Sequence, residues 1–123
     1  MIYFCIATAP EDAAPELARR LVEERLAACV NILPKVRSIY RWEGKIEDSS
    51  ESILFIKTAP RTAGGFEARF RELHPYDCPE LLMLDVEEGL EDYFHWVEAE
   101  TGGARRPIGK PTRDEAEPTG GTS

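Results

Sequence analysis

Residues 29–58 read CVNILPKVRSIYRWEGKIEDSSESILFIKT, and this stretch decides the fold. β-branched and aromatic residues are frequent on both sides of Glu43-Gly44, a pair that favours a tight turn. The stretch therefore predicts two strands, 29–42 and 45–58, that form a hairpin. Pro34 interrupts the first strand, which is typical of an edge strand or a bulge. The polar first half of the second strand predicts a solvated, projecting hairpin tip.

The segments around the hairpin add strands and helices in a regular order. Short apolar runs predict strands, and apolar residues at three- and four-residue steps predict helices. Asp12 is the predicted N-cap of the first helix. The predicted strands are 2–8 and 81–86, and the predicted helices are 13–28, 60–74 and 90–100.

The order strand-helix-strand-strand-helix-strand, followed by a third helix, is typical of the split βαβ arrangement. It predicts an α+β, ferredoxin-like fold with a four-stranded antiparallel sheet in the spatial order 4-1-3-2 and an extended β2–β3 hairpin. Right-handed crossovers place both long helices on one face of the sheet. We also expect the second and fourth strands to start at the same end of the sheet, on opposite edges. Cys29 and the 74–80 loop would then be distant within one chain.

The predicted strands are apolar on both faces, which indicates an oligomer. Tyr3–Ala7, Ile53–Ile56 and Leu81–Leu84 lack the apolar-polar alternation of a sheet with one solvated face. Two helices cover only one face, and an exposed patch of that size drives association. The third helix would cover part of the other face, and further copies of the chain the rest.

Composition bounds the class of protein. The chain has 123 residues and a net charge of -8, so a basic surface for nucleic acid is not expected. No apolar run is long enough to span a membrane, and MIYFCIATAP lacks the basic start of a signal peptide, which predicts a cytoplasmic protein. Residues 1–100 are the predicted domain. Residues 101–123 hold five of the nine glycines and three of the nine prolines, which predicts a flexible tail.

Several motifs in their order resemble one known family. ERLAACVNILP (24–34), SIYRWEGKIE (38–47) and HPYDCPE (74–80), with TAPED (8–12) ahead of them, resemble the CutA family of divalent-cation tolerance proteins. The similarity runs from about residue 2 to residue 97. It implies a homotrimer in which the sheets pack around the three-fold axis and the hairpins embrace neighbouring subunits. It also implies a likeness to PII-type signalling proteins, hence an effector-binding alternative.

The resemblance implies copper binding for some bacterial members, and here that ligand set is incomplete. Those members carry a cysteine before the TAP motif and a second histidine before the HPY motif, where this chain has Ala7 and Leu73. His74 is retained, and Cys5 lies two residues before Ala7 on the same strand face. His74 and Cys5 are therefore the candidate ligands for Cu²⁺ or another divalent metal, with no cofactor required. His74 and Cys78 each precede a proline, which favours an extended rather than helical backbone.

Other side chains are predicted to line subunit contacts or an inter-subunit pocket. Tyr40 and Trp42 are aromatic anchors on the hairpin, and Lys57 is a candidate anion ligand. The remaining candidates are Cys29, Tyr76 and Glu80. No glycine-rich phosphate loop, GxSxG or HExxH motif is present, and Cys29 would reach His74 only across subunits, so the chain is not predicted to be an enzyme.

Overall fold

The computed structural model describes residues 1–102, and it has the predicted ferredoxin-like topology. Four antiparallel strands lie in the order β2-β3-β1-β4, as the sequence predicts. The observed bounds of β2, β3 and β4 equal the predicted ones, and β1 continues two residues further, to Pro10. The elements are β1 Ile2–Pro10, α1 Ala14–Glu23, β2 Cys29–Trp42, β3 Lys45–Thr58, a 3-10 turn Pro60–Thr62, α2 Ala63–Leu73, β4 Leu81–Val86 and α3 Glu91–Ala99.

The predicted first helix is too long at its C-terminal end. Arg25 adopts a left-handed backbone with φ 60°, and its N–H donates to the Val22 carbonyl at 3.0 Å. The Leu26 N–H donates to the Leu21 carbonyl at 2.9 Å. These two bonds form a Schellman motif, which ends the helix and turns the chain toward β2. At the other end the predicted N-cap, Asp12, is also wrong, because Ala13 occupies that position without a side-chain cap.

One face of the sheet packs against α1 and α2 and forms the main core. Alternate residues of β1 and β3 point into this core, which follows from the two-residue period of a strand. Phe66 and Phe70 of α2 are fully buried against them, with ring centroids 6.0 Å apart. The other large buried side chains of this layer are Leu17, Leu21, Leu54 and Ile56.

The opposite face, called here the open face, is apolar and only partly covered. α3 covers one end, where Phe94 and Val97 bury Ile2. Beyond that end the rings of Phe4 and Phe55 stack with centroids 5.7 Å apart. Leu82 and Leu84 of the edge strand β4 are paired with β1 residues of this face and remain 55% and 46% exposed. The open face is therefore apolar like the helix-covered face, as the lack of apolar-polar alternation in the strands predicts.

The β2–β3 hairpin extends well beyond the other strands. β1 pairs with β3 only as far as Glu51, so the rest of the hairpin is a two-stranded arm. A register irregularity between Leu33 and Val36 marks the predicted bulge at Pro34. At the tip, Glu43 and Gly44 both have positive φ, 51° and 83°, as a type I′ hairpin turn requires.

Residues that follow α3 are held against the domain. Thr101 is buried and its hydroxyl donates to the Val97 carbonyl at 2.9 Å. The Gly102 N–H donates to the Arg25 carbonyl at 2.8 Å, and Arg25 returns a bond from Nε to the Gly102 carbonyl. Thr101 and Gly102, which the sequence assigns to the tail, thus contact the domain, and residues 103–123 of the predicted tail lie outside the described residues.

The helices of residues 1–102 are nine to eleven residues long, and none is long and apolar enough to cross a membrane.

Candidate ligand groove

The HPYDCPE loop begins where α2 ends. His74 caps the helix with φ -81° and ψ 137°, an extended conformation. The proline at 75 explains this, because its ring disfavours a helical backbone at the residue before it. The expectation that His74 leaves the helical region is therefore confirmed.

Both ring nitrogens of His74 are used in hydrogen bonds. Nε2 lies 2.7 Å from the Thr8 carbonyl oxygen, and Nδ1 accepts the Tyr76 N–H at 3.1 Å. A carbonyl only accepts, so the proton resides on Nε2 and Nδ1 is the acceptor. The imidazole is buried and packs between Phe70 and Tyr76, with ring centroids 5.3 and 4.9 Å away. His74 thus fastens the loop to the end of β1.

Cys5 lies on the helix-covered face of β1 and is fully buried in the main core. It shares that face with Ala7, as the sequence predicts. Burial, with a smaller contribution from the negative charge of Glu67, raises the pKa of the Cys5 thiol to about 12. The thiolate, which is the form that binds metal, is therefore strongly disfavoured.

The arrangement of Cys5 and His74 disfavours tight copper binding. A copper ligand set needs a deprotonated thiol and a free imidazole nitrogen, whereas burial favours the protonated Cys5 thiol and both His74 nitrogens are in hydrogen bonds. Within residues 1–102 no three or more His, Cys, Asp or Glu side chains are grouped so that they could hold a metal ion.

A groove of about 660 Å³ lies between the hairpin arm and the HPYDCPE loop. It combines aromatic rings from both walls with carboxylates and one exposed thiol. Four of the predicted pocket residues line it: Tyr40, Trp42, Tyr76 and Glu80. The other lining residues are Thr8, Ser38, Ile39, Glu51, Pro75, Asp77 and Cys78.

The centre of the groove is a hydrogen bond between its two walls. The Tyr76 hydroxyl donates to Glu51 Oε2 at 2.7 Å. Burial, and then this contact with Glu51, raises the pKa of Tyr76, so the phenol keeps its proton and remains a donor. Glu51 itself is only 4% exposed. At the edge of the groove Thr8 and Glu80 approach each other, with Oγ1 and Oε1 3.5 Å apart.

Two of the predicted pocket residues lie elsewhere. Cys29 pairs with Lys57, and Lys57 pairs with Phe4 near the start of β1, whereas the groove adjoins Thr8 near its end. Near the start of β1, Cys29 Sγ lies 3.5 Å from the Tyr93 hydroxyl, and burial together with this contact raises the pKa of Tyr93. Lys57 Nζ donates to the Asn31 side-chain oxygen.

The expectation that β2 and β4 start at the same end of the sheet is wrong. β2 runs parallel to β1, because both are antiparallel to β3, whereas β4 is antiparallel to β1. The two starts are therefore at opposite ends as well as on opposite edges. This places Cys29 and the 74–80 loop still further apart.

Sequence reasoning missed Glu51, the most buried carboxylate of the groove. The pattern KIEDSSES indicates a solvated strand, and the outer part of that strand is indeed mostly exposed. The sequence feature that could have identified Glu51 is its position in β3. It lies at the end of the polar half of the strand, two residues before Ile53, where the apolar half begins.

Comparisons with known proteins agree on one family. The family model described as "CutA1 divalent ion tolerance protein" matches residues 2–100. Protein CutA of Mus musculus is 47% identical over 87 residues, which are 71% of this chain and 49% of the mouse protein. The chain thus spans about half the length of that relative. The divalent-cation tolerance protein CutA of Thermus thermophilus is 42% identical over 97 residues, 79% of this chain and 94% of its own.

Solved structures share the fold. The Thermus thermophilus protein superposes with a TM-score of 0.79, covering 83% of this chain and 100% of that one. A protein from Nostoc, described as "PII-like protein CutA", is 35% identical with a TM-score of 0.77, covering 80% and 96%. One from Archaeoglobus fulgidus, described as periplasmic, is also 35% identical with a TM-score of 0.77, covering 81% and 98%.

Proposed function

Because the chain belongs to the CutA1 divalent ion tolerance family, we propose that it serves in the response to divalent metal ions as a homotrimer with a ligand-binding groove. The observation that supports a binding role is the groove between the hairpin arm and the HPYDCPE loop, where aromatic and acidic side chains meet. The proposed role is binding and not catalysis.

The homotrimer is supported by the open face. Leu82 and Leu84 remain about half exposed beside the stacked rings of Phe4 and Phe55, and burial of such a surface favours association. The hairpin arm also has strand edges that β1 does not reach, which a neighbouring copy would pair. Light scattering tests this: we expect about 41 kDa, three times the 13.8 kDa of one chain. A mass of one chain contradicts the proposal.

For metal, we propose weak binding of Cu²⁺ or another divalent ion, with Cys5 and His74 as the candidate ligands. Binding is weak because His74 must give up a hydrogen bond and Cys5 must lose a proton that burial retains. Calorimetric titration of copper into wild type, Cys5→Ala, His74→Ala and the exposed control His95→Ala is the test. Weak binding that falls only in the first two variants supports these ligands, and equal binding in all four removes them.

A second candidate function is that of an effector-binding module, and the buried Glu51 beside three aromatic side chains favours it. Ligand sites combine apolar walls with a few placed polar groups, and the groove has this composition. The likeness to a PII-like relative points the same way. The test is the melting temperature across a panel of metabolites and metals. A shift with metabolites and none with metals favours the effector role, and the reverse favours the metal role.

We propose a cytoplasmic location, which the free thiols of Cys5, Cys29 and Cys78 support, since cysteines stay reduced in that compartment. The relative described as periplasmic makes the test necessary. In a fractionated bacterial host the tagged full chain is expected with the cytoplasmic marker, and recovery in the periplasmic fraction contradicts this.

A further inference from the structure

We propose that the ligand of the groove is a small organic cation, a molecule that carries a protonated amine or a quaternary ammonium group. This deepens the effector-binding function proposed above and rests on it. Three properties of the groove support it: the sign of its charge, the state of Glu51, and the aromatic walls.

The lining of the groove carries charge of one sign. Its ionisable carboxyl groups belong to Glu51, Asp77 and Glu80. None of the described residues that line it is Lys, Arg or His. A cleft lined by one sign of charge concentrates ligands of the opposite sign, because its walls focus the field. An anionic ligand would meet three carboxylates and no counter-charge.

Glu51 is the member of this set that most needs a cation. The residue is 4% exposed, and Tyr76 satisfies only Oε2. Among residues 1–102 no ion pair includes Glu51, and no side chain donates a hydrogen bond to Oε1. Oε1 is thus left without a side-chain donor at the wall of the groove, and an opposite charge placed beside it would interact with it favourably. A ligand ammonium group in the groove would supply this charge.

The aromatic walls determine what kind of cation fits. Tyr40 and Trp42 lie two residues apart on β2, so both project from the same face of the hairpin, and Tyr76 faces them from the loop. Aromatic faces attract ammonium groups through the ring quadrupole, and they also contact the methylenes of an organic ion. Within a single chain Trp42 and Tyr40 are 45% and 41% exposed.

A bare metal ion suits this groove less well than an organic cation. A hard divalent ion takes six or more oxygen ligands, and soft ones need converging imidazole or thiolate groups. The described part of the chain holds no group of three or more such side chains arranged for a metal, and aromatic rings supply no ligand. The groove of about 660 Å³ also has room for a molecule of several heavy atoms.

The experiment is calorimetric titration of the full-length protein with choline, spermidine and, as an anion of comparable size, citrate, at constant ionic strength. The variants are Glu51→Gln, which keeps an acceptor for Tyr76 and removes the charge, and Trp42→Leu, which keeps an apolar side chain and removes the ring. Glu88→Gln is the matched control, since it removes the same charge from an exposed residue outside the groove. Thermal melts confirm that each variant is folded.

We expect choline or spermidine to bind wild type and the control equally, and citrate not to bind. Affinity should fall about tenfold or more in Glu51→Gln, because a buried charge-assisted contact is lost. In Trp42→Leu choline affinity should fall about threefold to tenfold. Citrate binding that is lost in Trp42→Leu, with no amine binding, overturns the cation class and leaves the effector groove standing. Equal amine binding in all variants means that the ions bind elsewhere and overturns the proposal. No binding by any compound overturns the proposed effector groove as well.

Discussion

His74 joins the HPYDCPE loop to β1 through one short contact: its Nε2 donates to the carbonyl oxygen of Thr8 at 2.7 Å. The same ring accepts the N–H of Tyr76 through Nδ1. Because His74 hydrogen-bonds to a carbonyl of β1 and to an amide of its own loop, it fixes the position of the loop relative to β1. This residue therefore sets where Tyr76 stands, and with it one wall of the groove.

The first prediction concerns the stability that this contact provides. His74→Ala removes both hydrogen bonds and a buried ring, so we expect a loss of about 2–4 kcal/mol in the free energy of unfolding. Denaturant unfolding at fixed protein concentration measures it. His95→Ala, at an exposed site on α3, is the control and should change stability by less than about 0.5 kcal/mol. Equal stability of the two variants would mean that His74 does not hold the loop.

The second prediction is a pH dependence that arises between α1 and α2. The Arg69 guanidinium, and then that of Arg20, hydrogen-bonds to Glu24 and lowers the pKa of its carboxyl to about 2 from the ordinary 4.5. A carboxyl with a lowered folded-state pKa stabilises the fold above about pH 4.5 and loses that contribution as the pH falls toward 2. The Glu24 and Arg69 side chains are each 32% exposed, so solvent screening reduces the effect to about 1 kcal/mol.

Denaturant unfolding of wild type and Glu24→Gln at neutral pH and near pH 2.5 tests this. Wild type should be the more stable at neutral pH, and the difference should shrink in acid. Asp48→Asn is the matched control, because Asp48 also pairs with an arginine, Arg37, but these two side chains are more exposed, at 47% and 75%. A difference between wild type and Glu24→Gln that persists in acid would show that charge is not its source.

The third prediction concerns the hairpin turn. Glu43 holds a left-handed backbone with φ 51°, a conformation in which Asn is better tolerated than Glu. Glu43→Asn should raise the free energy of unfolding by about 0.5–1 kcal/mol. Gly44→Ala should lower it by about 1 kcal/mol, purely through the backbone at φ 83°, since no atom lies within 4 Å of the added Cβ. Equal melting temperatures for the two variants would mean that the turn is not formed as described.

The sequence predicts the strands well because their signals are local. The bounds of β2 and β3 follow from the β-branched run and from one turn that needs two positive φ angles. The end of α1 is not predictable in this way, since Arg25 replaces the glycine that usually marks a left-handed C′ position. Its side chain stabilises the bend instead, with Nη2 donating to the Ala99 carbonyl at 2.8 Å. That contact joins residues 74 positions apart.

The sequence predicts only part of the groove, because the contacts that form it also join residues far apart in the chain. Aromatic side chains such as Tyr40 and Tyr76 are candidates for a pocket or an interface on residue type alone, whereas Glu51 is one of several acids in a polar strand segment. Its hydrogen-bond partner in the groove is Tyr76, which is 25 residues away and is itself hydrogen-bonded to His74. The family resemblance made His74 a metal-ligand candidate, and only the hydrogen-bond partners reveal that its ring nitrogens are already in use.

The last prediction tests the open face as the surface through which subunits associate. Leu84→Glu places a charge on a β4 residue that is 46% exposed in one chain and pairs with Phe4 across the sheet. If three subunits bury this face, the trimer holds three carboxylates in an apolar interface, at a cost of several kcal/mol each. In the monomer the same carboxylates stay in water, so the substitution favours dissociation. Light scattering should then give the 13.8 kDa of one chain. Leu90→Glu, at a residue 80% exposed beyond β4, is the matched control and should leave the assembly unchanged. Dissociation of both variants, or of neither, would show that association does not depend on the open face.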